Sequence, residues 1–246
     1  MKRGIVAGIL ALALLLVGAT VLWKRQEPEA QETEVQKAEA QEPDERAMQA
    51  DVAIRVVQSG SDALAACGSG VIFEVSENML WIVTAGHVLG QADAENHVYV
   101  DFSSVWDAGE TMTAQCTNYD VSTEADLAFL CLGREEIPEE VWYELRAVEK
   151  DKESYDALQA SDQVHVSGYR EGSLFVCEGT LEEFWIYVED FEQYMMLAKC
   201  ELYPGMSGGG LYDEAGHLIG IACGNNEQGE VVAVPLHVVE ARFEDF

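Results

Sequence analysis

The chain has 246 residues, of which 14 are Lys or Arg and 45 are Asp or Glu, giving a formal net charge of -31. A field of that sign repels phosphate backbones and anionic lipid surfaces, which excludes a nucleic-acid binder. With 48% hydrophobic residues and Gly (21) well above Pro (5), most of the chain can close a core; six Cys without a C-x-x-C pair point to neither a zinc site nor a small disulfide scaffold.

Lys2 and Arg3 precede an uncharged run from Gly4 to Trp23. As a helix rising about 1.5 Å per residue, this run would cross a hydrocarbon core of about 30 Å. It has no polar face, so residues 1–25 read as a membrane anchor, with Trp23 at the interface and Lys24-Arg25 as the stop. A cleaved signal peptide is the competing reading, with Val17-Gly18-Ala19 as its small-residue site. The short N-terminal tail argues for N-terminus in and domain outside the cytoplasm. Residues 26–50 follow as an acidic linker. Its stretch 26–46 holds eight acidic and two basic residues, and cannot bury enough apolar surface to order itself. That leaves 8 basic and 37 acidic residues in the folded part, 51–246.

From Val52 onward the pattern changes to short apolar and alternating runs: VAIRVV, GVIFEV, LWIVTA, HVYVDF, TAQCTNY, LAFLCL, VHVSGY, EFWIYV, MMLAKC, HLIGIAC and VVAVPL. Many short strands broken by Gly, Asn and Asp predict an all-β antiparallel barrel or sandwich. Residues 138–160 lack Gly and are rich in helix formers, which predicts a helical or irregular connector between two groups of strands. A second short helix is expected after Pro235.

Three local runs carry chemistry. His87 ends an apolar strand in TAGHVL, Asp126 opens another in EADLAFL, and Ser207 lies in the glycine-rich turn PGMSGGGL. Each alone has a bland reading as a structural, capping or turn residue. Their joint occurrence matters, because a serine nucleophile needs a base to take its proton and a carboxylate to hold the base's tautomer. Glycine at 205 leaves an N–H open to a substrate oxygen, and Gly208 and Gly209 permit a tight turn around Ser207. The turn also satisfies the loose G-x-S-x-G pattern, in which acid and His follow the Ser. With 39 residues after Ser207, that order is not expected, and His97, His165, His217 and His237 read as structural.

These runs, with GSGVIF (Gly68 to Phe73), TAQCTNYDVSTEADLAFL and VSGYREG, resemble the chymotrypsin-like (trypsin-fold) serine peptidases, in the bacterial Deg/HtrA-type or glutamyl-endopeptidase-like branch, across roughly residues 65–236. The resemblance implies two packed antiparallel six-stranded barrels with a triad in the cleft between them. His87 would be the general base, Asp126 its orienting carboxylate and Ser207 the nucleophile, with the N–H groups of Gly205 and Ser207 as oxyanion hole. Met206 departs from the digestive branch, which carries an aspartate there to receive a freed N-terminus, so activation by that route is not expected. Glu201 stands where an acid selects basic side chains in one branch, with Ile221, Ala222 and Cys223 as the opposite wall; facing solvent is its alternative. A PDZ domain, and oligomeric gating by one, is not expected.

Cys116 and Cys131 flank the turn that delivers Asp126, so a cross-strand disulfide is expected there, and Cys200 and Cys223 form a second candidate pair; buried free thiols are the alternative. The whole reads as a membrane-anchored extracytoplasmic serine endopeptidase acting on proteins or peptides, without metal or cofactor. The competing class is a catalytically silent peptidase-fold module that binds peptides or a partner protein.

Overall fold

Apolar residues on alternate positions give β1 (Asp51–Gln58) one buried face of Val52, Ile54 and Val56, with Arg55 and Val57 turned toward the other. β2 (Leu64–Val75) is buried without a break from Gly68 to Phe73 and β3 (Met79–Ala85) from Ile82 to Ala85, β4 (Asn96–Asp101) and β5 (Thr113–Cys116) alternate as β1 does, and β6 (Asn118–Ser122) has no buried residue. β7 (Leu127–Gly133) is buried along its whole length. The computed structural model describes residues 49–246 apart from 62, 91, 93–94 and 104–111. The apolar run 4–23 and the acidic stretch 26–46 lie outside the described residues. Among those residues no helix is long and apolar enough to cross a membrane.

The first seven strands form one antiparallel sheet in the order β5-β4-β1-β2-β3-β7-β6. This corrects the expectation of a closed six-stranded first barrel: it is a seven-stranded half-barrel. The reason lies in TAQCTNY, which is two strands joined at Thr117. β5 pairs with β4 at one edge and β6 with β7 at the other, so the edges are linked by chain and not by a ladder.

The connector contains two short helices, α1 (Glu139–Trp142) and α2 (Lys152–Ala157), the second capped by the Asp151 side chain accepting from Ser154 N. Between them the chain is irregular, and Val148 donates its N–H to Ile72 O. Six strands then close a barrel in the order β10-β13-β12-β11-β8-β9: β8 (Gln163–Arg170), β9 (Ser173–Val188), β10 (Gln193–Lys199), β11 (Gly210–Asp213), β12 (Leu218–Asn225) and β13 (Val231–Pro235). The expected C-terminal helix is α3 (Leu236–Asp245). It returns to the first sheet, where Phe243 meets the rings of Phe73, Trp81 and Phe129 at 5.0, 6.1 and 5.6 Å.

All six cysteines are free, which corrects both expected disulfides. The break at Thr117 puts Cys116 opposite Val98 on β4, while Cys131 faces Asn118. The Cys116 thiol accordingly points at the Cys131 carbonyl, at 3.7 Å. Cys223 turns toward Asp126, and Cys200 lies near Cys177. Burial pushes the thiols of Cys116 and Cys200 up to about 11 and about 12.

Two buried polar groups tie the sheet to the barrel. The Asp51 carboxylate, wholly buried on β1, accepts from Ser167 Oγ at 2.5 Å and from Tyr212 Oη at 3.3 Å, both on the barrel. Ser69 on β2, also wholly buried, contacts the turn that carries Ser207.

Candidate active site

β3 ends at Ala85, and the chain tightens into a 3-10 turn, Gly86–Leu89, anchored by the buried Val88 and Leu89. This leaves the His87 side chain half exposed. Asp126 closes the turn at 123–126 in the left-handed region, φ 47°, a conformation that Asp tolerates better than most residues. Gly86 N donates to Asp126 O at 2.9 Å, and a Cβ on Gly86 would meet Asp126 at 3.1 to 3.2 Å, so the glycine lets the two segments approach.

The Asp126 carboxylate holds His87 twice. Its Oδ1 accepts the His87 backbone N–H at 2.8 Å, and Nδ1 lies 2.9 Å from Oδ2 and 3.2 Å from Oδ1. An ionised carboxylate only accepts, so Nδ1 carries the proton and the lone pair of the neutral ring is on Nε2. The hydrogen bond to Asp126 raises the His87 pKa above its ordinary value, against the lowering effect of burial. Behind Asp126, Cys223 Sγ lies 3.8 Å from its carbonyl, and burial first, then Asp126, holds that thiol protonated. Gln193 of β10 donates Nε2 to Ala125 O at 2.9 Å, fixing the turn from the barrel side.

The turn at 203–209 is built from backbone. Met206 N donates to Tyr203 O, Gly208 N to Ala222 O and Gly209 N to Met206 O, at 3.0, 2.7 and 3.0 Å, while Ala222 N returns a bond to Gly209 O at 2.9 Å. Met206 is wholly buried. Gly205 (φ +97°) and Gly208 (φ +88°) adopt a conformation L side chains avoid, and a Cβ on Gly208 would come 2.1 Å from Thr84 Oγ1 and 3.0 Å from Ala85 N. The Ser207 turn is thus packed on the end of β3, two residues before His87. Among the described residues, the N–H groups of Gly205 and Ser207 have no acceptor, whereas those of Met206, Gly208 and Gly209 do.

The remaining sequence-selected residues fall elsewhere. Glu201 is exposed and accepts from Tyr203 Oη. Ile221, Ala222 and Cys223 are buried at 0, 0 and 3% exposure, and Ala222 exchanges main-chain bonds with Gly208 and Gly209 of the Ser207 turn. The open cavity beside His87, about 610 Å³, is lined instead by Thr123, Glu124, Asp126, Phe191 and Glu192. Phe191 and Glu192 come from the β9–β10 connection, whose closeness to His87 has no signature in local sequence. The other histidines have structural partners: His97 with Ser59, His217 with Asp213, His237 with Tyr155, and His165 stacked on Tyr212.

A half-barrel packed on a closed barrel, with a histidine–aspartate pair on the first and a glycine-rich serine turn on the second, defines a chymotrypsin-like architecture. The family profile described as trypsin-like peptidase domain matches residues 68–221, more than half of the chain, and the chain belongs to that family. The crystal structure of Deg5 is similar in fold, with a TM-score of 0.63 and 18% identity, covering 80% of this chain and 88% of that one. No curated protein sequence matches the chain.

Proposed function

We propose that the chain is a serine endopeptidase in which Ser207 is the nucleophile, His87 the general base and Asp126 the carboxylate that orients it. The observation that carries this reading is the pair of N–H groups, Gly205 and Ser207, left without acceptors on a turn in which Met206, Gly208 and Gly209 donate theirs. Unpaired donors held on one turn are what a developing oxyanion needs. In the first half-reaction Ser207 Oγ attacks the scissile carbonyl carbon and its proton passes to His87 Nε2. The tetrahedral oxyanion is held by the two N–H groups, and its collapse expels the amine, which takes the proton from His87. Water repeats the sequence on the acyl-enzyme and restores the serine. Asp126 holds the ring through Nδ1 and stabilises the imidazolium.

The peptidase fold implies protein or peptide substrates. The excess of acidic residues in 51–246, with Glu124 and Glu192 on the cavity beside His87, favours cationic segments. The uncharged run Gly4 to Trp23 supports anchoring in a membrane with the catalytic domain outside the cytoplasm. The deciding experiment is labelling of the intact chain with a fluorophosphonate probe, alongside Ser207→Ala. Labelling of the wild type alone is expected. A folded wild type that does not react would leave a peptide-binding module with a peptidase fold. For the anchor, the full-length protein is expected to remain with membranes through carbonate extraction; mature protein beginning near Thr20 would show a cleaved signal instead.

A further inference from the structure

Residues 203–206 form a β-turn closed by Met206 N donating to Tyr203 O at 3.0 Å, with Pro204 second and Gly205 third at φ +97°. This is type II chemistry: proline sets the second position and only a glycine-like residue accepts the third. The alternative type I turn differs by rotation of the peptide between residues 204 and 205, and that peptide carries the Gly205 N–H. Rotation would turn the donor away from the site while leaving the closing bond intact. Glycine, with no Cβ, opposes the flip weakly by itself. A bond from outside the turn is needed to hold Gly205 in place.

Ser69 is placed to do so. It is wholly buried, and four bonds run from it. Its Oγ donates to Gly205 O at 2.8 Å and accepts the Tyr169 N–H at 2.7 Å. Its backbone N–H donates to Ser207 O at 2.8 Å, and its carbonyl accepts from Thr84 Oγ1 at 2.6 Å. Each bond anchors its residue at the carbonyl, on the far side of the Cα from the N–H; the backbone bond to Ser207 is available to any residue at position 69, whereas the bond to Gly205 needs the hydroxyl. Thr84, also wholly buried, lies on β3 three residues before His87, so the strut runs from the histidine-bearing strand to both residues whose N–H groups are free.

We propose that Ser69 is a positioning residue for the oxyanion donors, its hydroxyl anchoring the Gly205 carbonyl and so limiting the movement of the residue whose N–H faces the substrate, with Thr84 as its support. The inference rests on the serine-peptidase reading. It does not involve His87 or Asp126, and that difference makes it separable.

The test uses the full chain as wild type, Ser69→Ala and Thr84→Val, with hydrolysis of a peptide substrate, the probe-labelling rate, affinity for a peptide boronate that forms a tetrahedral adduct on serine, and thermal unfolding. For Ser69→Ala, kcat is expected to fall by about ten- to a hundredfold, short of the loss of a whole oxyanion donor. Boronate affinity should fall in parallel, KM should stay within about twofold, and the pH midpoint of kcat/KM should not move. Thr84→Val should show the same signature at about threefold to tenfold, and it decides the matter if Ser69→Ala does not fold. Unchanged kcat in whichever variants fold, or a loss carried by KM or by a moved pH midpoint, overturns the inference while the peptidase reading stands. A folded wild type without labelling or hydrolysis overturns both.

Discussion

The two halves of the site are held by different chemistry. On the half-barrel, the relation of His87 to Asp126 is made by side-chain bonds from one carboxylate, which accepts from the ring and from the backbone N–H. On the closed barrel, the Ser207 turn is held by main-chain bonds to Tyr203, Ala222 and Met206 and by glycines that admit no side chain. A side-chain lock can be loosened one group at a time, and it titrates. A backbone lock does not titrate, and adding a single Cβ is enough to break it.

The largest effect expected is at the group both locks serve. Ser207→Ala should reduce kcat by about 10⁶ and abolish probe labelling with the unfolding temperature unchanged; labelling that survives would remove Ser207 from the reaction. Next, Asp126→Asn attacks the side-chain lock and should lower kcat by about 10⁴, because the ring would be held in the wrong tautomer. In the wild type the acid limb of kcat/KM should lie above the ordinary imidazole value of 6.5, since activity requires neutral His87 and the bond to Asp126 raises its pKa. In Asp126→Asn the limb should move down. A loss below about tenfold, roughly 1.4 kcal/mol, would show that the carboxylate is not the lock.

Gly208→Ala sharpens the contrast from the other side. Its methyl would lie 2.1 Å from Thr84 Oγ1 and 2.2 Å from Ser69 O, at a φ of +88°, so activity and unfolding temperature should fall together. Gly86→Ala, where the nearest atoms are at 3.1 Å, should cost less in both. Equal effects of the two substitutions would erase the distinction between the locks.

The smallest effect concerns stability alone. Burial pushes the Asp51 carboxyl up to about 7, while hydrogen bonds from Ser167 and Tyr212 and from the Gly210 backbone oppose the shift. Between roughly pH 4, where an unfolded Asp releases its proton, and the folded value, the folded chain holds a proton that the unfolded chain has lost. The stability present below that window therefore falls as pH rises through it and levels off above about 7. Asp51→Asn should flatten this decline in denaturant titrations. A wild-type slope retained in the variant would show that Asp51 is charged throughout.

Strand-rich, all-β character was legible from alternation, and the C-terminal helix from the residues after Pro235. β11 was missed because its four residues follow a run of glycines and show too little alternation to register. TAQCTNY read as one strand because nothing local marks Thr117 as the corner between two sheet edges. The same corner undid the expected pairing of Cys116 with Cys131, which had assumed a single hairpin. That Ile221, Ala222 and Cys223 turn their side chains into the core was not legible, because motif alignment locates a segment and does not say which way its side chains face.

From the sequence alone came the order of the His, Asp and Ser runs, the glycines of the Ser207 turn, the charge, and the apolar run and acidic stretch that precede the strand-rich part. All of these are written in neighbouring residues, because turns need particular backbones and strands need alternation. Only the tertiary structure decided that Asp51 is buried against Ser167 and Tyr212, that Phe191 and Glu192 stand beside His87, and that the Ser69 hydroxyl holds Gly205, 136 residues away. Those contacts arise where two separately curled sheets meet, and the packing of one on the other, which no local spacing records, selects the residues that face each other there.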